Sequence, residues 1–142
     1  PELLELAEKG DPKAVDLMMD WAHGPGGHFG GHPVPGLHHI NLGGTIVING
    51  SVKDNLGVDF RACDNYKNGF EAAKKIKCPT INILGAQDRM CPVKEGKKLA
   101  DNIKGSEVEI IDNCGHMILL EEASKALAIL KKFIKKNHPP KN

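Results

Sequence analysis

The sequence predicts an α/β fold in which parallel strands with flanking helices follow a mainly helical segment. Three observations predict it. Two short apolar runs, "TINIL" at 80–84 and "VEII" at 108–111, lie on either side of one amphipathic stretch of helical length. Each run is followed by a glycine and then by a side chain capable of chemistry: Gly85 and Asp88 after the first, Gly115 and His116 after the second. Before residue 76 the apolar residues recur mostly at helical spacing.

Taken in order, Leu3, Leu4 and Leu6 give a short opening helix that Gly10 closes. Asp11 then caps a second helix, Pro12 takes its first position, and Val15, Met18, Met19 and Ala22 form its apolar stripe. Nine of the thirteen residues from 24 to 36 are Gly or Pro, which predicts loop. "GTIVING" at 44–50 predicts a strand by its β-branched residues. Val52, Leu56, Phe60 and Cys63, then Tyr66, Phe70 and Ala73, return to helical spacing.

From residue 76 the pattern changes. Pro79 introduces a strand that Gly85 breaks. Pro92 opens a helix with Val93, Gly96, Leu99 and Ile103 on one face and Gly105 at its end. Val108, Ile110 and Ile111 make the second strand. Leu120, Ala123, Leu127, Leu130 and Ile134 line one final helix, with Glu121 and Glu122 in its first turn and lysines in its last, where they complement the dipole. A strand, a helix and a second strand form a βαβ unit, so the strands should be adjacent, parallel and joined by a right-handed crossover. Both strand ends then emerge on one edge of the sheet. The expected division is a helical segment over 1–75 and a βαβα unit over 76–138.

The bulk properties narrow the function. With 142 residues the chain holds one domain with a real core. Nineteen basic residues against eighteen acidic ones give a net charge of +1, which provides no electrostatic footprint for nucleic acid or an anionic membrane. No apolar run reaches the roughly 20 residues that span a bilayer. The four cysteines, at 63, 78, 91 and 114, form no CxxC pair and no zinc-ligand spacing, so they read as free thiols in a reducing, cytoplasmic setting. The chain opens without methionine and directly in helix, as though cut from something longer.

Asp88 and His116 carry the chemistry. An aspartate and a histidine at the carboxyl ends of neighbouring parallel strands suit a hydrolytic triad, in which the acid fixes the imidazole's tautomer and the imidazole moves the nucleophile's proton. Each has a plain alternative. Asp88 could cap the turn before Pro92, and His116 could be a loop histidine bonded to backbone. Their matching positions and order favour catalysis.

The segment "CPTINILGAQDRMCPVKEGKKLADNIKGSEVEIIDNCGHMILLEE" resembles the C-terminal part of α/β-hydrolase fold enzymes. In that family a strand ends in G-x-x-D with proline four residues after the Asp, and a later strand ends in G-H with glutamate five residues on. Here these are Gly85, Asp88 and Pro92, then Gly115, His116 and Glu121. Ala123 departs from the pattern, since the family often has proline there. The resemblance spans residues 76–134 and implies that Asp88 and His116 are triad acid and base, acting on a small ester-like substrate without a cofactor. It also makes the preceding segment a helical cap, in which "GTIVING" would be helical.

The family's chain order places the nucleophile upstream of the acid, on a tight small-x-nucleophile-x-small elbow. Ser51, Ser106 and Ser124 lack those flanks, and so do the cysteines and all nine aspartates. The expectation is therefore the C-terminal part of a capped hydrolase, carrying acid and base but not the nucleophile. Its partner would be the missing N-terminal part, or a second copy joined across an open sheet edge. A non-catalytic, hydrolase-like binding module is the main rival. Two others are weaker. His23, His28, His32, His38 and His39 invite a metal loop, but match no zinc spacing. Cys91 or Cys114 could act as a thiol nucleophile, but neither sits on an elbow. "GPGGHFGG" fits neither phosphate-binding glycine motif.

Overall fold

The computed structural model describes residues 2–25, 44 and 55–137. Helices α1 (Glu2–Glu8) and α2 (Lys13–Ala22) open the chain. Gly10 has φ 65 and turns the chain between them. Asp11 caps α2 through Oδ1, which accepts the Lys13 N–H at 3.0 Å, and Pro12 follows with helical dihedrals. The apolar stripe of α2 is buried at Val15, Met19 and Ala22. Helices α3 (Asn55–Asn65) and α4 (Gly69–Ala73) supply the second helical stretch. Gly57 lets α3 approach α1, because a Cβ there would lie 3.0 Å from the Ala7 carbonyl oxygen. Arg61 clamps the same pair of helices through Glu8, with Nε donating at 2.7 Å.

The second half contains strand β1 (Ile81–Gly85), helix α5 (Val93–Asp101) and strand β2 (Glu107–Ile111). The two strands pair in parallel, from Ile81 opposite Glu107 to Gly85 opposite Ile111. Helix α5 lies against Leu84, whose side chain fills the space a Cβ on Gly96 would take. Gly105 turns the chain into β2 with φ 76. On the other face, Ile111, Cys114 and Ala126 form the buried cluster, with Ile83, Ile118 and Ile129 packed around it. Helical and parallel-strand patterns thus produce the α/β class that the sequence predicts.

One element differs. The single final helix is two: α6 (Ile118–Glu121) and α7 (Ala123–Asn137). The break falls at Glu122, with φ −138 and ψ 45. Just before it, the Glu121 carboxylate turns back toward the preceding loop (below). Ala123 is then the first residue of α7, a position where proline is well tolerated because its amide needs no intrahelical partner. That accounts for proline in the family pattern. The lysines of the last turn fall where expected, and Lys136 Nζ reaches Glu107 on β2 at 3.0 Å. Residues 45–50 of "GTIVING", Val52 and the histidines at 28, 32, 38 and 39 lie outside the described residues.

Candidate active site

The carboxyl edge of the sheet gathers three chain segments: the turn after β1, the turn after β2 and the end of α2. The turn after β1 is closed by hydrogen bonds to the other strand's turn. Ala86 N–H donates to the Ile111 carbonyl at 2.9 Å, and Gln87 N–H to the Cys114 carbonyl at 2.9 Å. Gly85 and Gly115 make this possible. A Cβ on Gly85 would lie 2.1 Å from the Gly115 carbonyl oxygen and 2.6 Å from that of Cys114. Asn113, with φ 58, bends the second turn as a residue tolerant of the left-handed region.

Asp88 uses both oxygens. Oδ1 accepts the backbone N–H groups of Met90 and Cys91, each at 2.8 Å. Oδ2 meets Nδ1 of His116 at 2.8 Å. The turn-capping role and the histidine contact therefore coexist, one per oxygen. An ionised carboxylate can only accept, so Nδ1 carries the proton and Nε2 is left as the basic nitrogen. Among the described residues no group bonds Nε2. The Asp88 side chain is 7% exposed and that of His116 44% exposed, so the acid is anchored while the imidazole faces outward.

The main chain around His116 is equally constrained. The carbonyl of Ala22, at the end of α2, accepts both the His116 N–H at 2.8 Å and the Met117 N–H at 3.1 Å. Glu121 accepts the Gly115 N–H at 3.1 Å and, through Oε2, the Gly24 N–H at 2.8 Å. Beside the acid, Arg89 pairs with Asp20 at 2.8 Å and stands 6.0 Å over the Trp21 ring. An open cleft of about 710 Å³ is lined by His23, Gly24, Pro25, Ala86, Gln87, Asp88 and Arg89. A second, apolar recess of about 420 Å³ is lined by His116 with Ile83, Met117, Ile118 and Leu120.

Cysteine chemistry is disfavoured here. All four cysteines are free, but Cys114 is fully buried and its thiol is pushed up to about 11 by burial and by Glu121 and Glu122. Burial, with Asp88 and Glu95 nearby, also raises the Cys91 thiol. A thiol held protonated is a poor nucleophile. His23 is buried, with Nδ1 at 2.8 Å from the Met19 carbonyl. Among the described residues no group of three or more His, Cys, Asp or Glu is placed to hold a metal ion. Among them, too, no helix is long and apolar enough to cross a membrane. Ser106 donates to the Ala100 carbonyl at 2.9 Å after α5, and Ser124 lies in the first turn of α7. Sequence reasoning missed the role of Ala22, because a carbonyl leaves no signature in side-chain identity. Glu121 was visible as a motif residue without a purpose.

Known proteins give the setting. No family model matches the chain. Over 72 residues it is 38% identical to monoacylglycerol lipase ABHD6 of Rattus norvegicus, which covers 51% of this chain and 21% of that protein. It is 35% identical over 63 residues to a proline iminopeptidase of Lactobacillus acidophilus, covering 44% of this chain and 21% of that protein. Among solved structures, a thermophilic esterase superposes on 97% of this chain and 51% of its own, with TM-score 0.76 and 27% identity. An α/β-hydrolase enzyme from a Medee basin deep-sea metagenome library superposes on 99% of this chain and 51% of its own, with TM-score 0.72 and 18% identity. The chain thus spans about half the length of the solved structures it matches and about a fifth of the curated relatives. Its parallel pair and flanking helices, with these matches, give it the fold of the C-terminal part of α/β-hydrolases.

Proposed function

We propose that Asp88 and His116 are the acid and base of a hydrolytic triad, in a capped hydrolase that acts on a small ester-like substrate. The observation that carries this reading is the 2.8 Å contact from His116 Nδ1 to an Asp88 carboxylate whose other oxygen holds two backbone amides. A carboxylate fixed in this way orients the imidazole and stabilises it once protonated. The lone pair of Nε2 then takes the proton of an attacking hydroxyl, and Nε2–H later returns it to the leaving group. The ester-like substrate is supported by a lipase and an esterase among the relatives.

The nucleophile belongs, in this reading, to a preceding segment outside these 142 residues, and residues 1–75 form a helical cap beside the 76–138 core. The test uses a fluorophosphonate probe of serine hydrolases on the longer protein that includes that segment. Labelling is expected in the parent protein, slowed about 10²–10⁴-fold by His116→Ala and by Asp88→Asn. The 142-residue chain alone should not be labelled. Labelling that ignores both substitutions would remove Asp88 and His116 from the catalytic machinery, and no labelling in the longer protein would leave the fold as a binding module instead.

A further inference from the structure

We propose that Glu121 is a positioning residue which, with the last turn of α2, fixes where His116 stands against Asp88. The proposal rests on the acid–base reading above. Three consecutive amides are held in one direction at this point. Gly115 N–H goes to the Glu121 carboxylate, and the N–H groups of His116 and Met117 go to the Ala22 carbonyl. Two adjacent peptide planes anchored on both sides of the histidine Cα leave the backbone little freedom to rotate the side chain.

The same carboxylate reaches the other segment. Glu121 Oε2 also accepts from Gly24, so one side chain ties the histidine loop to the chain leaving α2. Ordinarily the last carbonyls of a helix lack intrahelical partners. Ala22 offers its carbonyl to the histidine turn, and Glu121 closes the bracket two residues further on. On the acid's side, Asp20 of α2 holds Arg89, next to Asp88. Residues 20–24 thus touch the turns of both acid and base.

Chemistry explains why the residue is glutamate. A carboxylate can accept two N–H groups at once, and charge-assisted bonds are roughly twice as strong as neutral ones. It also explains the glycines. A Cβ on Gly115 would lie 2.3 Å from the Gly24 nitrogen, and a Cβ on Gly24 would lie 2.8 Å from the Gly115 nitrogen. Glu121 is the last residue of α6, immediately before the break at Glu122.

The test reads the His116 imidazole directly, by long-range ¹H–¹⁵N spectra of the 142-residue chain with labelled histidine, at a pH where the ring is neutral. The unsubstituted chain should hold His116 as the Nδ1–H tautomer. Glu121→Ala should raise the ratio of Nε2–H to Nδ1–H by about three- to tenfold, the size expected from weakening one hydrogen bond to a charged group. Glu121→Gln, which keeps a carbonyl acceptor, should restore most of the original ratio. Gly24→Ala attacks the bracket from the other side, should behave like Glu121→Ala, and carries the test if that variant does not fold. Glu122→Ala removes the neighbouring carboxylate, which bonds Lys125 instead, and should change nothing.

Unchanged tautomers in folded Glu121→Ala and Gly24→Ala chains would overturn the proposal. So would an equal shift in Glu122→Ala. Asp88→Asn separates this from the reading beneath it. If His116 ignores that substitution, the acid–base pair itself fails, whatever Glu121 does.

Discussion

The carboxyl edge of the sheet and its two flat faces are built on different terms. At the edge, backbone meets backbone through Gly24, Gly85 and Gly115, and Asp88 engages with both of its oxygens. Cys114 and Ala126 beneath it are fully buried. On the faces, cover is partial. Val108 and Ile110 are exposed on the strand β2, as are Leu127 and Ile134 on α7, the last two by 51% and 54%. The edge is therefore fixed by hydrogen bonds and by close backbone approach that leaves no room for a Cβ at these glycines. The faces depend on apolar area that this chain's own helices only partly cover. The lesson is that site geometry is settled locally, whereas much of the sheet's apolar surface is not.

Breaking the edge should have the largest effect. Gly85→Ala forces a Cβ against two backbone carbonyls that belong to the turn carrying His116. Relief requires moving main chain, so the cost should be about 3 kcal/mol or more, at the upper end of overpacking. Urea denaturation of the variant checks this, and a loss under about 1 kcal/mol would mean that the two turns slide apart easily.

An intermediate effect should come from alkaline pH. The Cys114 thiol sits near 11 in the fold against an ordinary 9.0. A group raised on folding binds its proton more tightly in the native state, so stability is intact below about pH 9 and falls as pH rises towards about 11. Cys114→Ala should flatten that decline in urea midpoints. Alkylation at pH 8 should modify the exposed Cys63 and Cys78 well before Cys114.

The smallest effect should come from the faces. Leu127→Ala removes a side chain that is already half in water, so it should cost no more than about 1 kcal/mol. A loss of 2–5 kcal/mol, the usual size for a buried leucine, would show that something covers this face in solution.

Much of this was legible in the residues. The strands, their parallel pairing and the helix between them follow from "TINIL", "VEII" and a stretch opened by Pro92, since each pattern has one period and one burial demand. Asp88 and His116 were legible because strand ends and glycines mark turns. The split of the last helix was not. Periodicity runs unbroken from Leu120 to Ile134, yet the helix breaks at Glu122, beside a Glu121 carboxylate that accepts from amides 6 and 97 positions earlier. Nor could sequence reveal that Ala22 supports the histidine turn, because the group involved is common to every residue. Long-range backbone contacts of this kind are the part of a site that local chemistry does not announce.

The parallel ladder itself carries a consequence. Thr80 gives its carbonyl to Glu107 and Ala86 gives its amide to Ile111, so the even-numbered residues of β1 direct their main chain toward β2 and Ile81, Ile83 and Gly85 direct theirs to the side where no described strand lies. Of these, Gly85 already lends its carbonyl to the Asp88 amide at 3.2 Å, closing the acid's turn over the last outward rung. A newcomer strand can dock beside Ile81 and Ile83, but its path ends there. A ladder extended on that side is therefore shortened at the end where Asp88 and His116 stand.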